Sequence, residues 1–190
     1  MPESVLKKAG AEILNYHGTG MSVMEMSHRS AAFQEIFDST KAALRAALNV
    51  PDSHEILFLQ GGATLQFAAI PMNLMRGGTA DYAVTGNFSG KAAREAAKYG
   101  GVHIAADTSS TGHDRIPAQQ ELAESADARY FYYCANNTIY GTEWQYVPEV
   151  HSPLVCDMSS DILSKPVDAA KYGLIYAGAQ KNMAPAGLTV

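Results

Sequence analysis

Tyr172-Gly-Leu-Ile-Tyr-Ala-Gly-Ala-Gln-Lys181-Asn182 is an apolar run that stops in small residues and hands over to a lysine. Leu174 to Ala177 reads as a buried strand, short and bounded by glycines. The small residues after it leave room for a bulky group against the main chain, and Lys181 falls where the backbone turns. A lysine at a strand end is ordinarily a solvated loop residue. In this frame it has a second reading, a Schiff-base lysine whose amine attacks a carbonyl once burial and neighbouring charge depress its pKa. The other strand ends decide between the two.

Outward from this stretch, short apolar runs alternate with helical periods. Pro2 and Glu3 open a helix to about Leu14, and Tyr16 to Ser30 reads as a loop broken by Gly18 and Gly20. Ser30 caps a second helix carrying Phe33, Ile36, Phe37, Leu44, Ala47 and Leu48 at helical spacing. Glu55 to Leu59 is a predicted strand, and Gly61-Gly62-Ala63-Thr64 turns into a helix reaching about Met75. A strand over Ala80–Thr85, a helix over Ser89–Tyr99 and a short strand over Val102–Ala105 follow. Residues 106–116 form a polar connection, and Pro117 starts a helix ending near Ser125. Arg129–Cys134 and Leu154–Cys156 are strands, with a polar loop from Ala135 to Thr142 between them. Gly187 to Val190 is another strand-like start. This succession predicts an α/β fold with helices on the faces of a mainly parallel sheet.

Composition narrows the function classes. A chain of 190 residues, 47% of them hydrophobic, buries a real core as one large domain or part of a larger one. A net charge of −5 argues against a nucleic-acid module. No apolar stretch approaches a membrane span, and Met1 to Lys8 lacks the pattern of a signal peptide. Cys134 and Cys156 stand far apart in apolar runs and read as buried free thiols. The expectation is a cytoplasmic protein with no nucleic-acid or membrane partner. His17, His54, His103, His113 and His151 lack the spacing of a metal site and read as structural.

Ligands of open α/β sheets gather at the carboxyl ends of strands, which singles out a short set of residues. Free N–H groups of Ala63 and Thr64 would face a phosphate, although the turn is neither a Walker A loop nor a dinucleotide fingerprint. Phe88 would stack on a planar ligand, or belong to the core. Thr138 would donate a hydrogen bond, or hold its turn. Asp157 would pair with a cationic ring nitrogen that keeps its pKa low, or cap a turn. His28 and Arg29 would form an anion site, or a solvated pair. A phosphate turn, an aromatic plane, a hydroxyl donor, an aspartate and a lysine are together what a pyridoxal phosphate site requires.

Five motifs carry a resemblance. Met24-Glu-Met-Ser-His-Arg-Ser30, Gly61-Gly-Ala-Thr-Leu-Gln-Phe67 with Pro71-Met-Asn-Leu74, Cys134-Ala-Asn-Asn-Thr-Ile-Tyr-Gly141, Cys156-Asp-Met-Ser-Ser-Asp161 and Gly178-Ala-Gln-Lys-Asn-Met-Ala-Pro-Ala-Gly187 resemble, in order, the phosphoserine aminotransferase family. The resemblance implies a class V, fold-type I enzyme with a three-layer α/β/α large domain. It implies a homodimer using pyridoxal 5'-phosphate to move an amino group from glutamate to 3-phosphohydroxypyruvate, giving O-phosphoserine and 2-oxoglutarate. That is a step of serine biosynthesis, and in some bacteria the family also serves pyridoxine synthesis. By motif, Lys181 looks like the Schiff-base residue and Asp157 the pyridinium partner. Ala63, Thr64 and Gln180 match phosphate ligands, Phe88 the stacking position, Thr138 the donor to the ring hydroxyl, and His28 with Arg29 substrate-binding positions. Phe88 stands where the family usually has tryptophan, and Thr64 where some members have arginine.

The resemblance further implies that residues 1–190 are the cofactor-binding large domain without the family's opening segment, the rest of that domain or the small domain. Those parts supply a substrate-carboxylate arginine and phosphate contacts across the dimer, so a poorly active chain is expected. The alternatives are another class V enzyme, of alanine–glyoxylate aminotransferase or cysteine desulfurase type, and a non-catalytic cofactor-binding piece.

Overall fold

The computed structural model describes all 190 residues, Met1–Val190. They divide into two compact units, Met1–Ile56 and Leu57–Val190. The first is helical. Helix α1 (Glu3–Glu12) has no buried residue. Helix α2 (Ala31–Ala47) begins at the predicted cap, where Ser30 Oγ accepts from the Phe33 N–H at 3.2 Å. Past its end, Arg45 donates to the carbonyls of Val50, Pro51 and His54 at 3.0–3.1 Å. That fork closes the turn which Pro51 opens.

The second unit is the α/β body. Helix α3 (Gly62–Leu74) is followed by β1 (Thr79–Val84), α4 (Asn87–Ala96), β2 (Gly101–Asp107) and β3 (Phe131–Cys134). After these come a two-residue pair, β4 (Asn136–Asn137) and β5 (Thr142–Glu143), then β6 (Leu154–Asp157) and β7 (Leu174–Tyr176). Five strands form one sheet in the order β2-β1-β3-β6-β7, and every pairing in it is parallel. All five carboxyl ends therefore open on the same side. Alternation in the strands sends Tyr82, Tyr132, Val155 and Tyr176 into one core with Phe67, Ile70 and Met75 of the α3 segment and Ala92, Ala93 and Ala96 of α4. Each large side chain fully buried there stabilises by roughly 1.5–3 kcal/mol. Four tyrosines in an apolar core are tolerated because their hydroxyls find partners: Tyr82 with Tyr130 at 2.6 Å, and Tyr132 with Tyr176 at 2.8 Å. No helix is long and apolar enough to cross a membrane.

Three expected elements differ. The predicted helix from Pro117 to Ser125 is only a 3-10 turn over Gln119–Glu121. Its backbone is taken by other partners: Ala123 N–H donates to Ala105 O at 2.8 Å and Ser125 N–H to Asp81 Oδ2 at 2.6 Å. The Glu124 carboxylate meanwhile accepts from the N–H groups of His151 and Ser152. The predicted strand at 55–59 forms a single antiparallel bridge, Leu59 with Thr189, and no ladder. The expected polar loop after β3 contains the β4–β5 hairpin, closed by Tyr140 and Gly141 N–H groups on Asn137 O. Cys134 and Cys156 are buried free thiols, and burial pushes both well above the ordinary thiol range, which makes them unreactive.

Candidate active site

The strand order reverses between β1 and β3, where an open parallel sheet leaves a crevice. Gly86, just past β1, is so close to β4 that a Cβ there would lie 2.7 Å from Asn137 Oδ1. The buried Asn137 amide donates to Thr85 Oγ1 and to Thr142 Oγ1, each at 3.2 Å. One side chain thus ties the end of β1 to the hairpin. Phe88, in the first turn of α4, and Thr138, in the hairpin turn, ride on the two elements it joins. Both are exposed, and Lys91 Nζ stands 5.5 Å from the Phe88 ring centre.

The next strand, β6, ends in Asp157, only 5% exposed. Its Oδ1 accepts the Ser159 N–H at 2.9 Å, and its Oδ2 accepts the Tyr176 hydroxyl at 2.9 Å. Ser159 Oγ accepts the Gly178 N–H at 3.0 Å, fastening the end of β6 to that of β7. The N-terminus of α3 arrives at the same place: a Cβ on Gly178 would stand 3.4 Å from Ala63 Cβ and 3.8 Å from Ala63 N. Gly61 (φ 95°) and Gly62 (φ 68°) both take left-handed backbone to make this turn, which side chains resist. Ala63 and Thr64 N–H lie in the first helical turn, without intrahelical acceptors and at the positive end of the helix dipole.

Beyond β7 the chain doubles back. Ala177 and Val190 exchange N–H···O bonds at 2.8 and 2.9 Å, and Ala179 N–H donates to Leu188 O at 2.9 Å. Gln180 and Lys181 lead the loop between these partners, which Asn182 pins by donating to Ile162 O at 2.8 Å. The sequence reads Lys181 either as a solvated loop lysine or as a Schiff-base lysine. Here Lys181 is exposed, because the loop leaves the sheet immediately after the buried Ala179. Its charge still reaches Asp157 and favours the ionised carboxylate.

The cation expected beside Asp157 is a ligand's ring nitrogen; within the chain itself Asp157 forms no ion pair, and burial raises its pKa. The Ser159 and Tyr176 hydrogen bonds and Lys181 oppose that rise. His28 and Arg29 belong to the other unit, exposed in the loop before α2, with Arg29 N–H on Ser27 Oγ at 3.2 Å. The structure therefore gathers Ala63, Asp157 and the Lys181 loop at one point, and Phe88 with Thr138 at the Asn137 junction. Asn137 falls among the strand-end residues and Ser159 within a family motif, but sequence reasoning assigns no role to either, nor to Tyr176. The last shows only as a hydroxyl inside an apolar strand.

Asp161, four residues past Asp157, is a second buried carboxyl. Its Oδ1 has no hydrogen-bond partner, and burial, aided by Glu143 and Asp157 and opposed by Lys165, pushes it up to about 6. The folded value lies above the ordinary 3.8, so the folded state holds this proton more tightly. Its contribution to stability is full below the ordinary value and is lost as pH rises through about 6. Asp161→Asn is expected to remove that loss and stabilise the chain at neutral pH by about 1 kcal/mol. Urea unfolding of both proteins from acid to neutral pH checks this, and parallel pH curves would sink it.

The aminotransferase class-V family model matches residues 1–190. A phosphoserine aminotransferase of Laribacter hongkongensis (strain HLHK9) is 51% identical over 191 residues, covering 100% of this chain and 53% of that protein. A solved phosphoserine aminotransferase, studied for radiation damage of its Schiff base, superposes with a TM-score of 0.97 at 46% identity, covering 100% of this chain and 54% of that one. A second, PLP-bound, from Trichomonas vaginalis, gives 0.94 at 41% identity, covering 100% and 57%. The chain spans about half the length of the curated relatives it matches. With a family match over its whole length and a parallel five-stranded sheet to go with it, the chain belongs to the class-V aminotransferases.

Proposed function

We propose that residues 1–190 are the cofactor-binding large domain of a phosphoserine aminotransferase. The reaction is pyridoxal 5'-phosphate-dependent transfer of an amino group between glutamate and 3-phosphohydroxypyruvate, carried out by a cytoplasmic homodimer. One observation carries the reading: a buried carboxylate with no cation of its own, Asp157, stands at the carboxyl end of β6, beside the loop that carries a lysine with no ion-pair partner. Such an anion needs a cationic group to offset its desolvation, and a protonated ring nitrogen is one. The α3 N-terminus beside Gly178 suits the phosphate at the other end of the same molecule. The residues present therefore fit the group.

Asp157 would hold the proton on the ring nitrogen. Ala63 and Thr64 N–H, with Gln180, would bind the phosphate; Phe88 would stack on the ring and Thr138 would donate to its hydroxyl. His28 and Arg29 would take the substrate's anionic groups. The cofactor, when bound, supplies an electron sink for the bonds at the substrate's α-carbon. Lys181 Nζ would hold the cofactor covalently, then take and return the α-proton.

The test is to add pyridoxal phosphate to the whole chain, reduce with borohydride and map the modified peptide. Absorbance near roughly 410–430 nm, with the label confined to Lys181, is the expected result. A spectrum like that of free cofactor, or label scattered over exposed lysines, would count against the assignment.

A further inference from the structure

We propose that Tyr132 and Tyr176 form a directed hydroxyl relay that keeps Asp157 ionised and fixes the rotamer it presents at the end of β6, which makes both tyrosines positioning residues of the cofactor site. The inference rests on the reading of Asp157 given above. Tyr176 lies opposite Asp157 in the β6–β7 register and gives its single proton to Oδ2 at 2.9 Å. Its oxygen stands 2.8 Å from that of Tyr132, so Tyr132 must be the donor in that pair. Both rings are buried, at 1% and 3% exposure.

The direction of the relay matters. With Asp157 ionised, Tyr132 donates to Tyr176 and Tyr176 to Asp157, and every hydroxyl proton has an acceptor. With Asp157 protonated on Oδ2 and donating, the chain reverses, and the proton of Tyr132 is left in the core with no other hydrogen-bond partner. Protonated on Oδ1, Asp157 keeps the Tyr176 bond only as a weaker one between neutral groups. A stranded buried donor is costly, so the relay favours the charged carboxylate against the burial that disfavours it. Burial also keeps both phenols protonated, hence able to donate. The other titratable groups acting on Asp157 are Cys134 on β3, Cys156 beside it on β6, Asp161 beyond β6 and Lys181 beyond β7. Only Lys181 among them favours the ionised form, and it lies on a loop. Donation by Tyr132 polarises the Tyr176 hydroxyl, so the outer member of the relay acts through the inner one.

The test is a carboxyl-carbon NMR titration of Asp157 in the unliganded full chain, the resonance assigned by its loss in Asp157→Asn. Tyr176→Phe is expected to raise the midpoint by about one pH unit, and Tyr132→Phe by a few tenths, in the same direction. Tyr82→Phe removes a hydroxyl from the same core, one paired to Tyr130 rather than to the relay, and is expected to leave the midpoint alone. A Tyr132→Phe midpoint equal to wild type overturns the relay whatever Tyr176→Phe does. So does an equal shift in all three variants, which would report loosened packing. Cofactor capture on Lys181 is scored separately. Shifts without capture sink the functional reading and leave the relay; capture without shifts sinks the relay alone.

Discussion

Lys181→Ala is expected to abolish borohydride-fixable attachment of pyridoxal phosphate while leaving the fold untouched. The side chain is exposed and makes no hydrogen bond or ion pair, so its removal should change stability by no more than about 0.5 kcal/mol. Equal thermal midpoints for variant and wild type check that half. The chemical half rests on position. Exposed lysines such as Lys7, Lys98 and Lys165 are engaged with Glu3, Glu95 and Glu143, whereas the Lys181 ammonium stands free in a loop held by Ala179–Leu188 and Asn182–Ile162 hydrogen bonds. Non-covalent binding should survive, weakened about tenfold or more, or ~1.4 kcal/mol, because Asp157 and the α3 N-terminus remain. Labelling of the variant to the wild-type extent would rule Lys181 out as the attachment point, and full loss of non-covalent binding would show that the other groups do not hold the cofactor unaided.

The lysine, the aspartate and the glycine turn were legible because each punctuates a short apolar run: Lys181 after β7, Asp157 at the end of β6, Gly61 and Gly62 before α3. Local chemistry suffices there, since a buried parallel strand reads as a continuous apolar stretch and its end as the first polar residue. What the pattern could not show was anything set by register. That Tyr176 lies opposite Asp157, or that Asn137 reaches Thr85 across 52 positions, follows from strand pairing. The failed helix over 117–125 has in part the same cause. Glu121 and Glu124 look like helix formers, but Glu121 caps Ala118 and grips Arg115, and Glu124 binds the 151–152 backbone. Local partners of Glu121 and tertiary partners of Glu124 override propensity. Lys181 and Asp157 stand where the apolar runs end, as the pattern reads, but that one side chain is exposed and the other buried is set by the folded neighbourhood.

Gly86→Ala probes that neighbourhood at its tightest point. Gly86 has extended backbone, φ 174°, so alanine meets no conformational strain, and any cost is steric. The added methyl would lie 2.7 Å from Asn137 Oδ1, 3.1 Å from its Cγ and 3.3 Å from its Cβ. Asn137 cannot step aside cheaply: its amide is buried and holds both Thr85 and Thr142. Overpacking of this kind costs about 2 kcal/mol. Asn137→Ala alone should cost a similar ~1–3 kcal/mol, since the fully buried Thr85 hydroxyl loses its partner. The double variant removes the oxygen and carbon that the new methyl strikes and leaves only the Cβ. Its cost should therefore fall short of the sum by about 1 kcal/mol or more, measured by urea unfolding of all four proteins. Strict additivity would mean that the methyl is absorbed elsewhere and that Asn137 does not hold β1 to the hairpin. Coupling of the expected sign would place Phe88 and Thr138 on one mechanical unit, so that either single substitution should also weaken pyridoxal phosphate binding without touching a residue assigned to hold it.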